Sequence, residues 1–124
     1  MVSYNIYRND IASWRLPQNL DAPVLVGEFH FGAHDRGLFG SGLINVGTQE
    51  ARATALKRYV ESALANPQVV GAHWHQFSDQ ATSGRFDGEY FQVGWTDICD
   101  RPYPETIDAI RDVGYRMYET RNGR

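Results

Sequence analysis

An α/β fold built on a parallel sheet is predicted by three features of this 124-residue chain. Short apolar runs alternate with helical spacing in the order strand, short helix, strand, helix, strand, helix, the pattern of a parallel sheet with helices packed outside it. One run, Val24 to Val26, is too apolar for a half-exposed strand and reads as buried on both faces. Long loops follow the second and third strands at their C-terminal ends, where a (β/α)8 barrel carries its chemistry.

The elements follow in order. Val2 to Tyr7 alternates loosely, with β-branched and aromatic residues, and reads as the first strand. Asp10 to Leu16 reads as a brief helix closed before Pro17. Val24 to Phe29 is the second strand. Phe31 to Gly47 is rich in glycine and reads as a long loop, a kind usually functional in a compact domain. Thr48 suits an N-cap for a helix from Gln49 to Ala65, with Leu56, Tyr59, Val60, Ala63 and Leu64 at helical spacing. Asn66 and Pro67 end it. Val69 to Phe77 is the third strand, and Ser78 to Pro102 a second long loop with room for a small hairpin. Pro104 suits the first turn of a last helix, whose inner face is expected at Ile107, Ile110, Gly114, Met117 and Tyr118. Thr120 to Arg124 is expected to fray.

A closed barrel typically takes about 250 residues, roughly twice this length. Three βα units also leave open sheet edges, which proteins normally cover. A small open α/β sheet is one explanation of three such units; the expectation taken is a partial barrel, one partial domain over residues 1–124, that relies on further polypeptide, a partner or self-association. No internal repeat or linker divides it.

Composition narrows the function. A net charge of −3 gives no basic footprint for nucleic acid, and no stretch has the apolar length of a membrane span. Neither partner is expected. Cys99 is the single cysteine, so no intrachain disulfide is possible, and it is expected as a small buried hydrophobe. The N-terminus lacks the pattern of a signal peptide. Aromatic residues reach 13%, which supplies flat platforms for ligands such as sugar faces as well as core mass.

The most informative residue is Glu28. It ends the buried strand and is followed by aromatic residues and histidines. A charged residue in that place is where a barrel puts catalysis; the structural alternative is a salt-bridged strand end. Glycosidic chemistry normally needs a second carboxylate. A rival pattern is His73-x-His75, which puts two imidazoles on one strand face. His30, His34 and Asp35 would complete a metal site for a metal-dependent hydrolase. The alternative is histidines hydrogen-bonded in the interior or binding sugar hydroxyls, and neither metal nor cofactor is expected. By its place within a strand alone, Trp74 reads as core.

Two stretches carry a family resemblance. GEFHFGAHDRG (Gly27 to Gly37) and VVGAHWHQFSDQATSGRFDGEYFQVGWTDICDRPYPE (Val69 to Glu105) resemble the C-terminal part of the catalytic barrel of β-agarases of glycoside hydrolase family 50. More broadly they resemble the retaining barrel glycosidases of clan A. The resemblance implies that the three strands are strands six, seven and eight of the barrel. It implies that Glu28 is the nucleophile, that Tyr7 orients it, and that Trp74 is a platform for the sugar. The substrate implied is an agarose-like polysaccharide cut at β-1,4 linkages, and the full-length enzyme is expected to be secreted or periplasmic. The clan's acid/base glutamate follows an asparagine on strand four. No Asn-Glu pair occurs in these residues.

If Glu28 attacks a sugar it must be ionised, which calls for nearby donors and cations. Arg36, Arg85, His30 and His34 are the candidates. His30, His73, Gln76, Asp79, Arg85, Asp87 and Glu89 are candidate partners for sugar hydroxyls, with Gln80 beside them. Trp95 and Tyr90 are candidates for outer subsites. The bland alternative is that Arg85 and Asp87 bridge one another and brace the loop. Asp87 and Glu89 are also the local carboxylates that could stand in for the missing acid. The chain alone is expected to be inactive; the non-enzymatic alternative is a self-associating or carbohydrate-binding half-barrel.

Overall fold

A computed structural model of the chain describes residues 1–17 and 20–123. Its main sheet has three strands in the order β1–β2–β5, all parallel: β1 (Val2–Asn5), β2 (Val24–Phe29) and β5 (Val69–Trp74). Two further short strands, β3 (Gly32–Ala33) and β4 (Asn45–Gly47), pair in parallel within the first long loop. The helices are α1 (Gln49–Ala65) and α2 (Pro104–Asn122), packed on one another. The α/β class and parallel sheet are as the sequence predicts. Among the described residues, no helix is long and apolar enough to cross a membrane.

The core lies between β2 and α1. Val26 and Phe29 are buried on the helix side of β2, and Leu56, Tyr59 and Ala63 pack with them from α1; Val24 is buried as well. The Phe29 and Tyr59 rings stack with centroids 4.2 Å apart. The Tyr59 hydroxyl then donates to Ile6 O at 2.8 Å, so the same ring packs the core and ties the end of β1 to the helix. Thr48 caps α1 as expected, its hydroxyl accepting from Ala51 N at 3.2 Å.

Four expectations are corrected. Asp10 to Leu16 forms turns rather than a helix. The Asn66 side-chain amide donates to Ile11 O and Trp14 O, both at 2.8 Å, and Ser62 Oγ accepts from Ile11 N at 3.0 Å. Tertiary partners thus take the backbone groups that a helix would pair internally. The outer strands are shorter than expected: β1 ends at Asn5 after a shift in register, and β5 ends at Trp74. Phe31 to Gly47 is not all loop, since it carries β3 and β4. α2 is helical through Asn122, because Arg121 donates to Leu64 O and Asn66 O at 2.7 Å and Gly123 closes the helix; Arg124 lies outside the described residues.

The inner face of α2 also differs from the expected one. Thr106 and Val113 are buried, Ile107 and Ile110 half-buried, and Gly114, Met117 and Tyr118 exposed. Ile110, Met117 and Tyr118 line an apolar groove with Val60, Leu64 and Val70, along the outer edge of β5. No described residue forms a strand beyond β5 or beyond β1, so both sheet edges are open.

Candidate active site

A cleft of about 300 Å³ opens at the C-terminal ends of β1 and β2. Glu28 and Tyr7 form its centre, and the Tyr7 hydroxyl donates to Glu28 Oε2 at 2.9 Å. Burial, and then the bond to Glu28, push the Tyr7 phenol well above its ordinary pKa, so it holds its proton and remains a donor. Gly27 lets β1 and β2 come together here. A Cβ at that position would stand 2.7 Å from Ser3 Oγ and 2.8 Å from Asn5 Oδ1. Asn5 itself lines the cleft.

His30 lies beneath, 2% exposed, with both ring nitrogens engaged. Nε2 accepts from Leu43 N at 2.9 Å, so the proton is on Nδ1, which donates to His75 O at 3.0 Å. Burial lowers its pKa to about 4, against a smaller opposing effect of the His75 carbonyl. The ring is neutral near pH 7 and supplies no cation to Glu28. It holds Leu43 and His75, both of which line the cleft, in place.

Arg85 and Glu89 form the opposite wall. Arg85 pairs with Asp87 at 2.9 Å and Glu89 at 3.4 Å, and Glu89 Oε2 also accepts from Gln80 Nε2 at 2.8 Å. The bracing of the loop by Arg85 and Asp87 is therefore present. Arg36 is engaged with Glu105 instead, and neither it nor His34 lines the cleft. Among the described residues the cleft holds one cation, already paired twice.

The structure thus brings together Tyr7, Glu28, His30, Arg85 and Glu89 of the expected residues. It places the others elsewhere. Trp74 packs against Phe29 and Trp95, with ring centroids 5.3 and 5.0 Å away, and its Nε1 donates to Val93 O at 2.7 Å. It lines the apolar groove, as does His73. Gln76 Nε2 donates to Ser78 O at 2.8 Å. Asp79 is buried and accepts from Tyr103 Oη at 2.6 Å and Gly94 N at 2.7 Å. Asp87 accepts from Glu89 N at 3.2 Å within its own turn. Cys99 is exposed, not buried, in a turn whose amides bond Asp97.

The histidine pair is divided. β5 stops at Trp74, strict alternation ends with it, and His73 faces the groove while His75 lines the cleft. Among the described residues no three His, Cys, Asp or Glu side chains gather into a metal-binding group. The sequence reading missed Asn5 and Leu43, which carry no signal of their own. It noticed His75 only as half of the His73-x-His75 pair.

Fold and site together define a segment of an α/β domain, with a tyrosine-held carboxylate at the end of a parallel strand. Over 125 residues the chain is 40% identical to β-agarase B of Vibrio sp. (strain JT0107), matching 98% of this chain and 13% of that protein. The solved structure of an exo-β-agarase superposes with a TM-score of 0.92 at 41% identity, over 99% of this chain and 17% of that one. Another GH50 protein superposes with a TM-score of 0.90 at 40% identity, over 97% and 17%. No family model matches. The chain is similar over nearly its whole length to part of the family 50 β-agarases, and it spans 13% of the curated relative's length.

Proposed function

We propose that residues 1–124 are the nucleophile-bearing part of a retaining β-agarase-like glycoside hydrolase. In this reading β1, β2 and β5 are barrel strands six, seven and eight, within one partial domain. Glu28 attacks the anomeric carbon and Tyr7 holds its carboxylate in line. The acid/base carboxylate, which a retaining enzyme needs about 5–5.5 Å away, comes from outside these residues. The substrate is an agarose-like polysaccharide, and the protein acts where such a polymer is met, outside the cell or in the periplasm.

The observation that carries this reading is the 2.9 Å hydrogen bond from Tyr7 to Glu28 in an open cleft at a strand end. Attack requires an ionised carboxylate with one oxygen free and the other fixed; a neutral phenol provides that without competing for the sugar. The open edges of β1 and β5 support continuation of the sheet by other polypeptide or by a second copy.

The test has two parts. The purified chain, incubated with agarose, is expected to release no reducing sugar; release that disappears in Glu28→Gln would overturn the division of the site. The chain is then exchanged for the matching segment of the Vibrio β-agarase B. That chimera is expected to cleave agarose, and Glu28→Gln in it to abolish cleavage while leaving oligosaccharide binding. An active Glu28→Gln chimera would remove the nucleophile assignment.

A further inference from the structure

The buried stripe of α1 does not begin with apolar residues. Gln49 and Arg52 stand ahead of Leu56, Tyr59 and Ala63 at helical spacing, and both are fully enclosed. The Arg52 guanidinium donates to Gly94 O at 2.7 Å, Thr106 Oγ1 at 3.1 Å and Gln92 O at 3.4 Å. It also stands 4.9 Å from the Tyr103 ring. On its other side, the Gly94 amide donates to Asp79 Oδ1 at 2.7 Å, and Asp79 Oδ2 accepts from Tyr103 Oη. The backbone at Gly94 is therefore gripped between a buried cation and a buried carboxylate. No side chain fits there, since a Cβ would lie 2.2 Å from Asp79 N and 2.3 Å from Thr96 O.

Backbone bonds lead from this grip to both walls of the cleft. Gln92 N donates to Gly40 O at 2.8 Å and Ala33 N to Gln92 O at 3.2 Å, which anchors the loop that carries Leu43. Gln80 N donates to Phe91 O at 3.1 Å, and Phe91 N returns to Gln80 Oε1 at 2.7 Å. The same Gln80 side chain holds Glu89. Arg52 lines no part of the cleft.

Stability is a poor account of such a residue. Replacing buried charge by well-packed apolar residues of similar volume is often neutral or stabilising. What a guanidinium adds is a rigid fork with several donors, able to fix more than one backbone oxygen at a set place. Burial lowers its pKa to about 10, so it stays charged at neutral pH. We propose that Arg52 is a positioning residue for the cleft: through Gly94 and Gln92 it sets where the Leu43 wall and the Arg85–Glu89 wall stand on either side of Glu28. What the cleft holds rests on the agarase reading; the coupling of the walls to Arg52 does not.

The experiment compares backbone-amide NMR spectra of the 124-residue chain, Arg52→Met, Arg52→Lys and the core control Leu56→Ala. Arg52→Met is expected to shift the amides of Gly40, Leu43, Arg85 and Glu89 while those of β1 and β2 hold. Arg52→Lys is expected to restore part of the wild-type pattern, and Leu56→Ala to leave the walls in place. Shifts confined to residues 92–94 and 106 would overturn the proposal, as would equal displacement of the walls by Leu56→Ala. If Arg52→Met does not fold, Arg52→Lys and Thr106→Val are judged by the same criteria. Each protein is then titrated with a neutral agarose-derived tetrasaccharide. Affinity is expected to fall at least tenfold in Arg52→Met, and unchanged affinity would overturn the proposal. Absence of binding by the wild-type chain would count against the agarase reading, and the amide shifts alone would then decide the role of Arg52.

Discussion

The two faces of β2 are built in different ways. Toward α1 it presents Val26 and Phe29, both buried and surrounded by apolar side chains and the Tyr59 ring. Toward the cleft it presents Glu28, half-buried, between walls held by directed polar bonds. Those bonds join residues far apart in the chain: Tyr7 to Glu28, His75 to His30, Arg52 to Gly94. The helix side gains from area, which is non-directional and shared among many contacts. The cleft side depends on direction, so one lost donor or one unwanted proton moves a wall. The stability of the domain and the shape of its site are thus carried by opposite faces of one strand.

The difference can be broken hardest from the helix side. Phe29→Ala empties the space against Tyr59 and Trp74 and is expected to cost about 3–5 kcal/mol. Urea unfolding reads this directly, and a loss below about 1 kcal/mol would mean that the layer refills itself. A lowered denaturant midpoint with the cleft amides in their wild-type places would sharpen the distinction between the faces.

From the cleft side the lever is pH. The folded His30 pKa of about 4 lies below its ordinary value of 6.5. Between these values the unfolded chain binds more protons than the folded one. Stability from the neutral ring is therefore complete above about pH 6.5 and is lost as pH falls toward 4. The loss is on the order of 3 kcal/mol. An NMR titration of the His30 ring is expected to give a midpoint near 4, and a midpoint near 6.5 would remove this contribution. On acidification, the Leu43 and His75 resonances are expected to move before those of β2.

The smallest effect is expected outside both faces. Arg116 pairs with Asp112 at 2.9 Å on the exposed side of α2. Exposed pairs of this kind are screened and give up side-chain entropy. Arg116→Ala is expected to leave the thermal midpoint within error, and a clear drop would show that the outer helix surface shares in the stability assigned here to β2 and α1.

Legibility in the sequence follows the same division. α1 and its Thr48 cap were readable because capping and helical spacing are local. The buried β2 was readable because an apolar run states its own environment. Glu28 stood out because a carboxylate ending such a run is costly without a purpose. The turns at residues 10–16 were not readable, since Asn66 and Ser62, which take their backbone groups, lie over 50 residues away. His73 and His75, expected on one face, were divided because β5 ends at Trp74, and alternation holds only within the strand. Arg52 carries no local signal of burial, and only its tertiary neighbours enclose it.

By itself the sequence determined the α/β class, the parallel order, the helix that covers the sheet, the resemblance to the agarases and the carboxylate at the strand end. All of these rest on periodicity, on short motifs or on the chemistry of one residue. Tertiary structure decided which side chains share the cleft with Glu28, that His30 is neutral and that Arg85 is already paired. It also decided that a cation inside α1 holds the walls. Each depends on a hydrogen bond or a burial that exists only after distant segments meet, and no local pattern encodes the partner at the other end.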